Sequence, residues 1–121
     1  KTFPIFINYD KQDDISDTTK CEDHFVGDNR LIAISKSGRT IASEDVQNFL
    51  HAKERGIDVQ LFVRKNKDDK ISKEFYYLGR MTATGRTEEF VMANTDKTAV
   101  EIEWALDTPV REDIYEYIIN G

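Results

Sequence analysis

Between Ile57 and Lys65 the chain alternates without interruption: Ile57, Val59, Leu61 and Val63 fall on one side of an extended backbone, and Asp58, Gln60, Phe62 and Arg64 fall on the other. A period of two held over that length specifies a strand with one buried face. Phe62 is the exception, a large ring among polar outward positions. Glu74 to Met81 reads as the partner strand across the polar turn N-K-D-D-K, with Phe75, Tyr77 and Gly79 on one face and Tyr76, Leu78 and Arg80 on the other. Ala99 to Leu106 alternates just as cleanly, Val100, Ile102 and Trp104 against Glu101 and Glu103, which makes Trp104 a core residue.

The other segments fit around these strands. Phe3 to Tyr9 is aromatic and β-branched with Pro4 near its start, which suits a first or edge strand. Asp10 to Asp28 is polar and is expected to be a long surface loop with one helical turn near Cys21 to Phe25. Leu31 to Ile34 is a short strand, and Ser35 to Arg39 is a turn around Gly38. Ser43 opens a helix from Glu44 to about Arg55: its hydroxyl is placed to cap, Glu44 and Asp45 suit the dipole, and Gly56 follows the last turn. Val46, Phe49, Leu50 and Lys53 line one side of that helix. Gly85 is expected to make a turn at Thr84 to Arg86, before a further strand over Glu89 to Asn94. Arg111 to Ile119 closes the chain as a helix presenting Ile114, Tyr117 and Ile118 to the body. The pattern implies one α+β domain, a bent antiparallel β-sheet or open β-barrel with two flanking helices.

Charge is unevenly distributed. The chain of 121 residues carries a net charge of −6, yet Lys53 to Arg86 holds nine cations against five carboxylates. Cationic side chains beside aromatics in an otherwise acidic sequence steer an anionic partner to one face. DNA is the first candidate. Arg64, Lys65, Arg80 and Arg86 are expected to meet phosphates, with Lys67, Lys70 and Lys73 near them, while Tyr76 or Tyr77 stacks on a base. Lys36 and Arg39 extend the track. The plainer reading of the hairpin is a solvated edge whose lysines discourage unwanted strand pairing.

Other clusters carry less. Ser35 to Arg39 offers backbone donors and Arg39 to a phosphate oxygen, but it lacks the spacing of a nucleotide-hydrolysing loop and reads more readily as a plain turn. Cys21-Glu22-Asp23-His24 has the residue types of a nucleophile, carboxylate and base, but adjacent residues do not make a triad. His51 reads as a surface histidine. Asp13/Asp14 and Glu112/Asp113 are explained by solvation and helix-dipole pairing. With one cysteine and two histidines, no disulfide, structural metal site or cofactor is expected, and the reducing cytoplasm is the default compartment. No apolar run reaches the roughly 20 residues of a membrane helix. A start at Lys1 and an end at Gly121 after an apolar helical run suit a fragment cut from a longer protein.

Six segments, F-P-I-F-I-N-Y-D-K-Q-D-D-I-S, E-D-H-F, S-K-S-G-R-T, L-F-V-R-K, F-Y-Y-L-G and I-E-W-A-L-D-T-P, together resemble a bacterial family. It is the domain of unknown function appended C-terminally to superfamily II DEAD/H helicases of restriction and defence systems, often with a phospholipase-D-like nuclease at the other end. Cys21 stands where that pattern has an aromatic, and Ala33 where it has a tryptophan-like residue. The resemblance implies a non-catalytic accessory domain whose partners are DNA and the helicase body of a parent chain. The order of strands is also similar to PUA-like and SRA-like barrels, which hold an extruded or modified base between aromatics. The alternative is a docking module that holds the helicase body through the acidic surface from Glu101 to Glu116 and the C-terminal helix.

Overall fold

The computed structural model describes residues 1–9, 22–65 and 74–120. Six strands and two helices follow in the order β1 (Thr2–Tyr9), β2 (His24–Gly27), β3 (Arg30–Ile34), α1 (Glu44–Leu50), β4 (Asp58–Lys65), β5 (Tyr76–Val91), β6 (Thr98–Leu106) and α2 (Glu112–Asn120). They form one sheet ordered β1-β4-β5-β6-β3-β2, curled into a half-barrel. The expected α+β architecture, a bent sheet with two helices, is what the chain adopts. All neighbours are antiparallel except β1 and β4, which run parallel from Thr2 opposite Asp58 to Tyr9 opposite Lys65, so the sheet is mixed. A parallel pair needs a crossover, and β2, β3 and α1 supply it.

The alternations determine which side is buried. Val59, Leu61 and Val63 of β4 meet Ile7 and Tyr9 of β1 and Val100, Ile102, Trp104 and Leu106 of β6 in one continuous cluster. Trp104 is 1% exposed and forms its centre. Each such aliphatic side chain contributes about 1.5–3 kcal/mol on leaving water. Val46 of α1 and Ile118 of α2 enter the same cluster, so both helices cover the core side of the sheet. Phe49 meets Trp104 edge-on at 5.8 Å, and Tyr115 meets Phe25 at 5.7 Å. None of the helices among the described residues is long and apolar enough to cross a membrane.

Four expectations change. The segment near Phe25 is strand, not a helical turn: Phe25 is buried, pairs with Leu31 of β3, and its N–H donates to the Tyr9 hydroxyl at 3.1 Å. Cys21 and residues 10–20 lie outside the described residues. The α-helical ladder of α1 stops at Leu50, and the chain continues in turns. These close where Gly56, at φ +68°, lets its own N–H reach Lys53 O and that of Ile57 reach Ala52 O, a Schellman closure. Ser43 Oγ accepts from Thr40 N–H at 2.9 Å instead of capping α1. Finally, Gly85 makes no turn. β5 runs through it as one bulged strand, and β6 re-engages it after a register shift between Ala83 and Thr87.

A second irregularity changes the faces of the hairpin. Leu61 opposes Gly79 and Phe62 opposes Tyr77, so Leu78 is one residue too many on β5, and Gly79 accommodates it at φ +94°. Leu78 and Met81 therefore both turn into the core while Arg80 turns out. Simple alternation had grouped Leu78 with Arg80.

A candidate nucleic-acid interface on the outer face

Away from the core, β4 presents Asp58, Gln60, Phe62 and Arg64. The parallel register sets Phe6 of β1 beside Phe62 and Asn8 beside Arg64, and the bulged antiparallel register sets Tyr77 beside Phe62. The Phe6 and Phe62 rings stack at 4.9 Å with 21° between their planes. Phe75 meets Phe6 edge-on at 5.2 Å, and Tyr77 tilts against Phe62 at 5.1 Å. This cluster is not sealed: Phe6 is 58% and Tyr77 59% exposed. The Arg64 guanidinium lies 4.7 Å from the centre of the Phe75 ring and donates through Nε to Asn8 Oδ1 at 2.8 Å. Tyr77 donates its hydroxyl proton to Gln60 Oε1. Among the described residues no carboxylate pairs with Arg64, so its charge remains available beside four rings.

The other cations named from the sequence do not join it. Lys65 follows Arg64 on an extended strand and so points to the opposite face, where its ammonium sits 4.7 Å over the Tyr117 ring of α2. Tyr76 lies on that side too, 5.9 Å from Tyr117. Arg80 is held by Asp107 at 2.7 Å and Asp58 at 3.4 Å, first the former and then the latter raising its pKa. Arg86 is exposed, 4.0 Å from Glu103. Arg39 pairs with Asp45 at 2.8 Å, and that guanidinium is the main reason the Asp45 carboxyl lies below its usual range. Lys67, Lys70 and Lys73 lie outside the described residues. The continuous cationic track is therefore corrected: strand alternation separates Arg64 from Lys65, and carboxylates engage Arg39, Arg80 and Arg86.

Lys36 and Arg39 instead flank a cleft on the core side, about 500 Å³ in volume, where β1 and β3 approach under α1. Ile5, Ile7, Ala33, Phe49 and Trp104 line it. Asp23 reaches it as well, one carboxylate oxygen accepting the Ile34 N–H at 2.7 Å. Burial pushes the Asp23 pKa up, against the opposing pull of that N–H and of His24. His24 hydrogen-bonds no side chain among the described residues: its Nδ1 meets the Glu22 carbonyl at 3.0 Å.

Of the site residues expected from the sequence, Arg64 and Tyr77 share this outer face; Phe6 and Phe75 beside them were not expected there, and Asp23 was named only within the Cys21 to His24 cluster. The available signal was Phe62, whose outward position required further rings to cover it. No protein in the curated set matches the chain. Residues 1–118 match the family model described as Domain of unknown function (DUF3427), and with nearly its whole length matched the chain belongs to that family.

Proposed function

We propose that this domain binds unpaired DNA through the outer face of β1, β4 and β5, as a non-catalytic accessory part of a helicase-linked restriction or defence protein in the cytoplasm. The observation that carries the reading is the grouping of Phe6, Phe62, Phe75 and Tyr77 with an Arg64 that no described carboxylate neutralises. Bases stack on aromatic side chains for about 1–3 kcal/mol each whatever their sequence, and a guanidinium beside them meets the backbone phosphate. The helicase linkage rests on the sequence resemblance. Fluorescence anisotropy with single-stranded and duplex oligonucleotides over a range of salt tests the reading. Expected is preference for the single strand with affinity falling as salt rises; equal, salt-independent binding or none refutes it.

A second reading has its own support. The net charge of −6 and the pairing of Arg39, Arg80 and Arg111 with carboxylates favour a docking module for the helicase body. The exposed rings would then bury against protein. Co-purification of the domain with the rest of its parent chain, without nucleic acid, would favour this outcome.

A further inference from the structure

The cleft between β1 and β3 opens beneath α1, borders the aromatic face only at Phe6 of β1, and has chemistry of its own. Its volume of about 500 Å³ falls within the range of sites that take small ligands. Ala33 stands opposite Ile102 on the neighbouring strand and leaves room that a larger residue would fill. Phe49 meets Phe3 edge-on at 5.1 Å and Trp104 edge-on at 5.8 Å, so apolar and aromatic surface bounds the space. Asp23 supplies polarity at one end. One of its oxygens is committed to the Ile34 N–H, and among the described residues the other has no partner. Lys36 lines the cleft and pairs with no described carboxylate.

We propose that this cleft is a binding site for one planar nitrogen heterocycle that offers an N–H donor and carries an anionic group, the chemistry of a nucleotide. The ring enters between Phe49 and the β1 aliphatics, its N–H donates to the open Asp23 oxygen, and the anionic group meets Lys36. The half-buried Asp23 carboxylate is repelled by the two carbonyl oxygens that flank the single ring N–H of thymine, so amino-bearing bases bind best. Such a ligand has two sources, a free nucleotide or an unpaired base within a strand. The site does not depend on the outer-face reading.

Trp104 is the only tryptophan and borders the cleft, so its emission reports occupancy. The 121-residue chain is titrated with dCMP, dAMP, dGMP and dTMP up to millimolar concentrations, and separately with a short mixed-sequence single strand. Expected is a saturable change, weakest with dTMP, with backbone amide shifts concentrated at Ile5, Ala33, Ile34 and Phe49. Asp23→Asn keeps the acceptor for Ile34 while replacing the open oxygen with a donor, and Ala33→Leu fills the space; each weakens binding by about tenfold or more. A response to mononucleotides identifies the free ligand, and a response to the strand alone identifies an unpaired base. Tyr77→Ala leaves the mononucleotide response intact even where it abolishes strand binding, which separates this site from the outer face. No response to any probe, or wild-type amide shifts located elsewhere, overturns the proposal whether or not the variants fold.

Discussion

Tyr76 and Tyr77 are adjacent in the chain and point to opposite sides of β5, and their replacement by alanine separates binding from packing. The Tyr77 ring is 59% exposed and touches one other ring, Phe62 at 5.1 Å. Losing such a contact costs about 1 kcal/mol of stability. If that ring stacks on a base, Tyr77→Ala also removes about 1–3 kcal/mol of binding, a five- to 150-fold rise in Kd of about that order. Tyr76 packs under the sheet against Tyr117 at the margin of the core. Tyr76→Ala should cost about 2–3 kcal/mol of stability, less than the 3–5 typical of a fully buried ring. Its Kd for DNA should not change while the protein remains folded. Tyr77→Phe supplies the control, deleting the hydroxyl that reaches Gln60 and keeping the ring. Urea denaturation measures the first quantity and anisotropy with a single-stranded oligonucleotide the second. The reasoning fails if Tyr77→Ala leaves Kd within about twofold of wild type, or if Tyr76→Ala raises it equally.

The same geometry makes three further predictions. Arg64→Glu should weaken DNA binding and reduce its salt slope by about one, whereas Lys65→Glu, on the α2 side, should leave both unchanged in the same titrations. Arg80→Gln should not alter DNA affinity, because Asp58 and Asp107 already engage that charge; a large loss would return Arg80 to the interface. The Asp23 carboxyl is raised above its ordinary 3.8 by burial, so its contribution to stability is complete below that value and is lost as pH rises through the folded-state value. Asp23→Asn lacks this dependence. Its urea midpoint should therefore gain on wild type as pH rises from about 3.5 to 7, and parallel profiles would contradict the assignment.

The alternating strands were legible because a two-residue period with one buried face leaves little choice of orientation. Val59, Leu61 and Val63 of β4 and Trp104 of β6 are buried as their spacing requires. The bulges were not legible. Gly79 reads as an ordinary strand position until its partner register shows that Leu78 is an insertion, and Gly85 reads as a turn until β6 is seen to continue past it. Nor does local sequence disclose that β1 lies parallel to β4, because that pairing joins residues 56 positions apart in the chain. The aromatic face depends on that pairing, since Phe6 meets Phe62 only in that register. The cleft depends on residues from β1, β3, α1 and β6 together with Asp23 and was hidden for the same reason. Asp23 read as the carboxylate of an adjacent set that makes no triad, and it gained a structural partner only when β3 brought the Ile34 N–H to it.

The two margins of the curled sheet are joined not by a run of ladder bonds but at Tyr9, whose phenol receives the Phe25 amide and whose ring lies 5.4 Å from that of Phe25. The molecule is a hoop with a clasp. Parting the clasp leaves every strand-to-strand ladder whole, but it sacrifices the hydrogen bond and the ring pair and also uncovers Tyr9 and Phe25, both buried in the core, with Phe25 packed on Tyr115 of α2. It therefore costs more than the roughly 1–3 kcal/mol of the pair alone.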